Sequence, residues 1–405
     1  MGNLFEKYKH IVEQIYFCSD ENSAVAIKRE LDQYLNNICN DTAESFIRTI
    51  LEKRKKEDSW VNGEKQFLSV NDKAAHSVSL YLLGWLFSPW IERYFEKAYK
   101  EYGLLERVSP EETVFSFLWF ISTFTHDFAS KYEVEWKEHD KQTSSELSYD
   151  IYSPILNDDI TKKTLYRPIP TVYERRLVDA YKEYRRASGK HDHGILSGEF
   201  VFNELADLCM KNMNAAKQYG YSTDGTVVWT AKLLSAYAFA ADAIIAHNIW
   251  HTSAKTKGAT EYLKYGGTDR PLSRLLDGNA EHKRISVVEH PLAFYLGLLD
   301  TIEPIKYFSE ESPEKVLKEI TIKMEQSNGM VKLCISQSAD SFSLAGWFDS
   351  KIASLPLWMD IDSVMYDSGM ITIKFYAAPR SDFKLDLYNS IDLGTSDNMI
   401  LYPHE

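Results

Sequence analysis

The feature that most constrains the fold is a long central segment, residues 70–308, which is dense in Leu, Ala, Phe, Tyr and Trp and contains few strand-like alternations. Such a composition is typical of packed helices that bury most of their surface. The segment therefore predicts an all-α bundle. Its longest apolar stretch, residues 233–249, carries Asp242 in the middle. We interpret that stretch as a buried helix of a globular protein and not as a membrane span.

The flanking regions differ from the central segment. Residues 1–60 place apolar side chains at helix spacing and predict an N-terminal helical segment. After residue 308 the pattern changes, with Pro313 at the first position of a predicted helix. Alternating apolar runs then flank Asn328-Gly329 and, further on, Asp367-Ser368-Gly369, which predicts two β-hairpins. The chain is thus predicted to be mainly α, with domain limits of 1–60, 61–308 and 309–405, the last a small α+β domain.

One polar stretch interrupts the central segment. Residues 133–167 are poor in aliphatic side chains and include Ser144, Ser145, Pro154 and Asn157. Long loops in otherwise well-packed domains are often lids over a site. We expect a loop or lid here.

The charge balance restricts the partners. The chain has 46 Lys and Arg against 59 Asp and Glu, a formal charge of −13. A surface of this sign argues against nucleic-acid binding unless a partner supplies a basic groove, but it is compatible with a small phosphorylated substrate held by a metal. The four cysteines form no C-x-x-C pair, and the N-terminus has no signal-peptide pattern. These features predict a cytoplasmic protein without a membrane anchor or a disulfide framework.

The histidines lie in or beside the apolar helical stretches. His76, His126, His193 and His247 each occupy such a position, and Asp127 directly follows His126. Any one of these residues could be a hydrogen-bonded core residue. Taken together, nitrogen and carboxylate ligands without thiolates suit one or two ions of Mn, Fe, Ni, Co or Zn, with Mg as an alternative.

The order of these residues resembles a known family. The residues that carry the resemblance are His76, then His126-Asp127, then Asp192-His193-Gly194-x-x-Ser197, then His247-Asn248-Ile249-Trp250, and then Leu299-Asp300-Thr301-Ile302-Glu303. This order is similar to that of the HD superfamily of metal-dependent phosphohydrolases. The similarity extends over about residues 70–308 and implies an HD-type helical bundle.

The resemblance also implies a set of metal ligands. His76, His126, Asp127 and Asp300 would hold a first ion. In members with two ions Asp127 would bridge to a second ion held by His193 and His247. The implied reaction is the attack of a metal-activated water on phosphorus.

The sequence departs from the family pattern after Asp127. Many family members continue with x-Gly-Lys, whereas here Phe128-Ala129-Ser130 precede Lys131, one position later. Lys131 is a candidate catalytic residue. Arg186, Lys190 and His251 are candidates for binding substrate phosphate. Alternatively, Arg186 pairs with a neighbouring carboxylate on a solvated helix face, and His251 simply packs.

The function expected from the sequence is a metal-dependent phosphohydrolase or phosphodiesterase acting on a nucleotide-like substrate. Two alternatives stay open: a catalytically inactive HD scaffold that senses a nucleotide, and a metal-dependent nuclease that acts with a partner. The sequence leaves open the substrate, the native metal and the oligomeric state.

Overall fold

The structure is a computed structural model of the chain. It describes residues 76–77, 79–81, 83–84, 87, 95, 114–127, 129, 171–189, 191–219, 231–308, 310–311, 313–327, 329–376 and 390–392. The predicted helical segment at 1–60 and the predicted loop at 133–167 lie outside these residues.

The chain divides into two compact units. Of the described residues, unit 1 contains those from 76 to 87 and from 298 to 392, and unit 2 contains those from 95 to 297. The domain limits expected at residues 60 and 308 remain predictions.

Unit 2 is helical where it is described. Its helices are α1 (Val114–Thr125), α2 (Arg175–Ala187), α3 (His193–Tyr219), α4 (Ala231–Ala246) and α5 (Lys257–Tyr262), and α6 (Pro291–Ile302) begins in unit 2. Helix α4 is apolar on all sides, and it packs against both α3 and α1. It is therefore the central helix of the described part of unit 2.

The packing of α3 on α4 depends on close backbone approach. Gly198 lies in α3, and a Cβ atom there would come within 2.6 Å of Ile245 Cγ1 and 2.7 Å of the Ala241 carbonyl oxygen. Small residues at such a contact let two helices approach more closely than larger side chains would. This approach brings the start of α3 next to the end of α4.

After α4 the chain forms a short irregular region. Strand β1 (Thr252–Ser253) pairs in parallel with β2 (Leu276–Asp277). A 3-10 turn at Pro271–Leu275 packs against α2. The β1–β2 pairing and the packing on α2 hold the segment after His247 in place.

Unit 1 ends in a small antiparallel sheet. After α7 (Pro304–Tyr307) and α8 (Pro313–Glu319) come β3 (Ile320–Ser327), β4 (Met330–Gln337), α9 (Leu344–Ser350), α10 (Leu355–Trp358), β5 (Ser363–Asp367), β6 (Met370–Tyr376) and β7 (Ser390–Asp392). The strand order is β5-β6-β4-β3-β7. Both predicted hairpins are present, as β3–β4 and β5–β6. Alternate residues of β3, such as Ile320, Ile322 and Met324, are buried.

The described part of the chain is thus mainly helical with a small antiparallel sheet, as the sequence predicts at that level. Among the described residues, no helix combines the length and the apolar character needed to cross a bilayer.

Candidate metal centre

His126 and Asp127 lie in the turn that ends α1. The backbone N–H of His126 donates to the Ser122 carbonyl at 2.9 Å, so the chain is still helical in its hydrogen bonding there. The imidazole Nδ1–H donates to the Thr123 carbonyl at 2.8 Å. His126 and Asp127 are both buried. The end of α1 therefore places an imidazole and a carboxylate next to each other in the protein interior.

His247 occupies the equivalent position after α4. Its Nδ1–H donates to the Ile244 carbonyl at 2.5 Å, again three residues earlier in the chain. A neutral imidazole has one N–H, so both His126 and His247 keep the lone pair on Nε2. Metal-binding histidines are usually held in this way, with the other ring nitrogen donating to a carbonyl or a carboxylate.

His126, Asp127 and His247 form one cluster. One ligand atom from each of the three lies within 4.8 Å of the other two, and all three residues are buried. The rings of His126 and His247 are 5.1 Å apart between centroids. A buried carboxylate beside two imidazoles that donate through Nδ1 and leave Nε2 for a ligand is a favourable environment for a divalent cation. These residues fit a metal ion.

His193 lies beside the cluster as the first residue of α3. Its Nε2 is 3.0 Å from Asp127 Oδ1, and its ring centroid is 5.5 Å from that of His247. Gly194 makes this arrangement sterically accessible, since a Cβ atom there would lie 2.9 Å from His247 Cε1. The contact of α3 with the chain after α4 thus sets the position of His193.

Asp192 caps helix α3 next to these histidines. Its Oδ1 accepts from the Ile195 backbone N–H at 2.9 Å, which satisfies one of the free donors at the start of the helix. Its Oδ2 accepts from the Asn248 side-chain amide at 2.9 Å, and Arg185 Nε lies 3.8 Å away. Asp192 therefore joins the start of α3 to the chain after α4.

Ser197, four residues after His193 in the same motif, links α3 to the turn that follows Asp127. Its hydroxyl accepts from the Ala129 backbone N–H at 2.9 Å, and its side chain is fully buried. This bond ties the turn after Asp127 to the first turn of α3. Ser197 thus helps to hold Asp127 near His193.

Unit 1 contains a second histidine–carboxylate pair. His76 Nε2 lies 2.8 Å from Asp300 Oδ1, and His76 Nδ1 lies 3.0 Å from Glu303 Oε2. Glu303 also accepts from Ser79 Oγ and from the Lys306 backbone N–H. Burial and the Lys306 ammonium lower the pKa of His76, but the two carboxylate hydrogen bonds outweigh them and raise it overall. His76 is therefore oriented by Glu303 with Nε2 towards Asp300.

Of the candidate phosphate-binding cations, Arg186 belongs to the described part of the chain. Arg186 is exposed in the last turn of α2. Lys131 and Lys190 lie outside the described residues. Their proposed roles remain predictions.

His251 uses both ring nitrogens within unit 2. Its Nε2 lies 2.8 Å from the Tyr173 hydroxyl, and its Nδ1 lies 2.9 Å from His282 Nε2. His251 is buried. A phosphate oxygen would have to replace one of these partners, so the packing role has more support from the contacts than the substrate role.

Asp242 is a buried carboxyl outside the cluster. Both of its oxygens accept from the Val172 backbone N–H, at 3.0 and 3.2 Å, which fixes the segment that leads into α2. Burial raises the pKa of Asp242 to about 8, although the Val172 hydrogen bond opposes the shift. The carboxyl is therefore largely protonated at neutral pH.

This pKa predicts a pH-dependent stability. Between the ordinary pKa near 3.8 and the raised value of about 8, the folded state keeps a proton that the unfolded state has lost. Stability should therefore fall as the pH rises through this window, by up to about 1.4 kcal/mol for each unit of pKa difference. Asp242→Asn keeps an oxygen for Val172 and removes the titration. We expect its Tm to exceed that of the wild type at pH 8.5 and to match it near pH 4.5. An equal loss of Tm at both pH values would contradict this.

Glu303 and Asn248 lie in the strings that carry the family resemblance, but the sequence assigned neither of them a role. Glu303 directly precedes Pro304 and caps α7 by accepting from the Ile305 N–H at 3.0 Å, so a helix-start pattern was available in the sequence. Asn248 offered no such pattern, because its contacts depend on how the helices pack.

Comparisons with protein-family models, curated proteins and solved structures gave no match for this chain.

Proposed function

We propose that this chain is an HD-type, metal-dependent phosphohydrolase or phosphodiesterase that acts on a small nucleotide-like substrate. The observation that carries the proposal is the buried cluster of His126, Asp127 and His247, in which each imidazole donates through Nδ1 to a backbone carbonyl and leaves Nε2 for a ligand. The order of residues that resembles the HD superfamily supports the same conclusion. The HD-type bundle is part of the same proposal.

A divalent ion held by His126, Asp127 and His247 would supply Lewis-acid activation of a water and of a phosphoryl oxygen. The chain's own residues set up this site. Carbonyls fix the two imidazole rings, and Ser197 anchors the turn that carries Asp127. His76 and Asp300 form a further pair with the same ligand chemistry.

The charge of the chain supports a small substrate over a nucleic acid. At −13 the protein repels an extended phosphate backbone, whereas a single phosphate needs only a local cation. Arg186, Lys131 and Lys190 remain the proposed phosphate contacts, and Lys131 remains the proposed catalytic cation.

The first experiment measures metal in the protein as purified and after incubation with Mn²⁺, Co²⁺, Ni²⁺ or Zn²⁺. We expect at least one equivalent of a transition metal by mass spectrometry. Loaded protein is then assayed against cyclic dinucleotides, nucleoside triphosphates and single-stranded DNA. Turnover of nucleotides supports the proposal. Cleavage of DNA alone would indicate a nuclease, and metal binding without any turnover would indicate a nucleotide-sensing scaffold.

A matched pair of variants tests the cluster itself. His247→Gln removes a ligand, and we expect it to weaken zinc binding more than the roughly 10- to 100-fold that loss of an outer contact costs. His290→Gln is the control, because His290 is a half-buried histidine of unit 2 outside the cluster, where desolvation and Lys283 lower its pKa to about 4. It should bind zinc as the wild type does. Equal affinity in all three proteins would refute the cluster as a metal site.

A further inference from the structure

The three histidines next to Asp127 are held in two different ways. His126 and His247 each donate Nδ1–H to a backbone carbonyl. The Nδ1 atom of His193 instead faces the side-chain amide nitrogen of Asn248, at 3.4 Å. An amide nitrogen is a donor and never an acceptor. Nδ1 of His193 therefore faces a hydrogen-bond donor, whereas Nδ1 of His126 and of His247 faces an acceptor.

The orientation of the Asn248 amide is fixed by its other partners. The indole N–H of Trp250, which is only a donor, lies 3.0 Å from Asn248 Oδ1. The Asp192 carboxylate, which is only an acceptor, lies 2.9 Å from Asn248 Nδ2. Reversing the amide would place donor against donor and acceptor against acceptor. The two hydrogens of Nδ2 are thus available to Asp192 and to His193.

It follows that Nδ1 of His193 accepts and that Nε2 carries the ring hydrogen. Nε2 is 3.0 Å from Asp127 Oδ1, a good distance for donation to that carboxylate. A nitrogen that carries a hydrogen has no lone pair for a metal. A metal-bound histidine normally has an acceptor at its other nitrogen, whereas Nδ1 of His193 faces the amide donor of Asn248.

We propose that His193 is a positioning residue that donates to Asp127 and does not bind the metal, and that Asn248 selects this role by fixing the tautomer. The inference rests on the proposed function and changes the ligand set implied by the resemblance to the HD superfamily. The side chain that orients the metal-binding carboxylate is then His193, and the residues that orient His193 are Asn248 and, through it, Asp192 and Trp250.

The surroundings hold this network rigidly. Asp192 is fixed by capping α3 through the Ile195 N–H. A Cβ atom on Gly194 would lie 2.8 Å from Asn248 Cβ, so the backbone of α3 is in direct contact with the asparagine. The distance between Asn248 and His193 is therefore set by helix packing.

The first test compares glutamine at two positions by competition for zinc with a chromophoric chelator. In His193→Gln the new amide can still donate to Asp127, and we expect zinc affinity within about tenfold of the wild type. His193→Ala removes the donor and should weaken zinc binding by roughly 10- to 100-fold, as loss of an outer contact does. His247→Gln removes a true ligand and should lose more. If His193→Gln loses as much affinity as His247→Gln, His193 is a ligand and the inference is wrong.

The second test exchanges the two side chains that determine the tautomer. In the double variant Asp192→Asn with Asn248→Asp, the new amide at position 192 donates to the new carboxylate at position 248, which still accepts from Trp250. The contact with His193 Nδ1 changes from a donor to an acceptor, and Arg185, 3.8 Å from Asp192, then faces an amide in place of a carboxylate. His193 should then carry its hydrogen on Nδ1 and offer Nε2 to the metal.

We expect the exchange to tighten zinc binding by at least about tenfold, the lower end of what one ordering contact contributes at a metal site. The visible absorption of the Co²⁺-loaded protein should change as a nitrogen ligand is added. Unchanged affinity and an unchanged cobalt spectrum would overturn the role of Asn248. If the double variant does not fold, the glutamine comparison still decides the inference. A wild-type protein that binds no metal would refute the proposed function itself.

Discussion

We expect Asp127→Ala to empty the metal centre and abolish turnover. Asp127 is the carboxylate of its cluster, and the other two members, His126 and His247, are imidazoles. Without this carboxylate the cation would lose both a ligand and its local charge compensation in a buried site. The loss of affinity should exceed the roughly 100-fold upper range seen for outer contacts. Metal content by mass spectrometry, measured together with Tm, is the readout.

The control for this substitution is a second buried aspartate of unit 2. Asp242→Asn replaces a buried carboxyl group outside the cluster and should retain the full metal content. Asp127→Asn, which preserves the side-chain volume, separates loss of charge from loss of packing. If Asp127→Ala keeps both metal and activity, the proposed function is wrong.

Gly194→Ala should damage both the stability of unit 2 and its candidate metal centre. Helix propensity alone predicts that alanine stabilises an interior helix position by about 1 kcal/mol relative to glycine. Here the added Cβ atom would lie 2.8 Å from Asn248 Cβ and 2.9 Å from His247 Cε1, so α3 or the chain after α4 must move. We expect a destabilisation of about 1–3 kcal/mol, as for overpacked sites. Because His247 is displaced, zinc affinity should also fall at least about tenfold.

Gly258 provides the matched control for this prediction. It lies in helix α5, where the nearest atom to an added Cβ would be Thr252 Oγ1 at 3.5 Å, an ordinary contact distance. Gly258→Ala should therefore leave zinc affinity unchanged and keep or slightly raise Tm. If Gly194→Ala behaves in the same way, the close approach at the start of α3 is not what positions His247.

The local features of the fold follow from the sequence. The alternation in residues 320–335 and 361–376 predicts two hairpins, and both are found. Pro313 begins α8, as the helix-start pattern indicates. The all-round apolar character of α4 predicts its burial against two other helices. These features depend on residues close together in the chain, whose periodicity and turn chemistry can be read directly.

The candidate centre could be predicted only in part. The apolar stretch before His126-Asp127 and the pair His247-Asn248 at the end of another one mark helix ends, and the structure brings His126, Asp127 and His247 together. The partners that give each group its role could not be predicted. Glu303 beside His76, and Tyr173 beside His251, lie far away in the chain.

The sequence by itself determined that this protein is mainly helical with a small antiparallel sheet, and it identified the nitrogen and carboxylate groups that could serve a metal. Only the tertiary structure decided which nitrogen of His193 carries the hydrogen. A helical carbonyl three residues earlier fixes His126 and His247, whereas an amide 55 residues further along the chain faces His193. The physical reason is that a tautomer is set by the donor or acceptor across the contact, and for His193 helix packing chooses that neighbour.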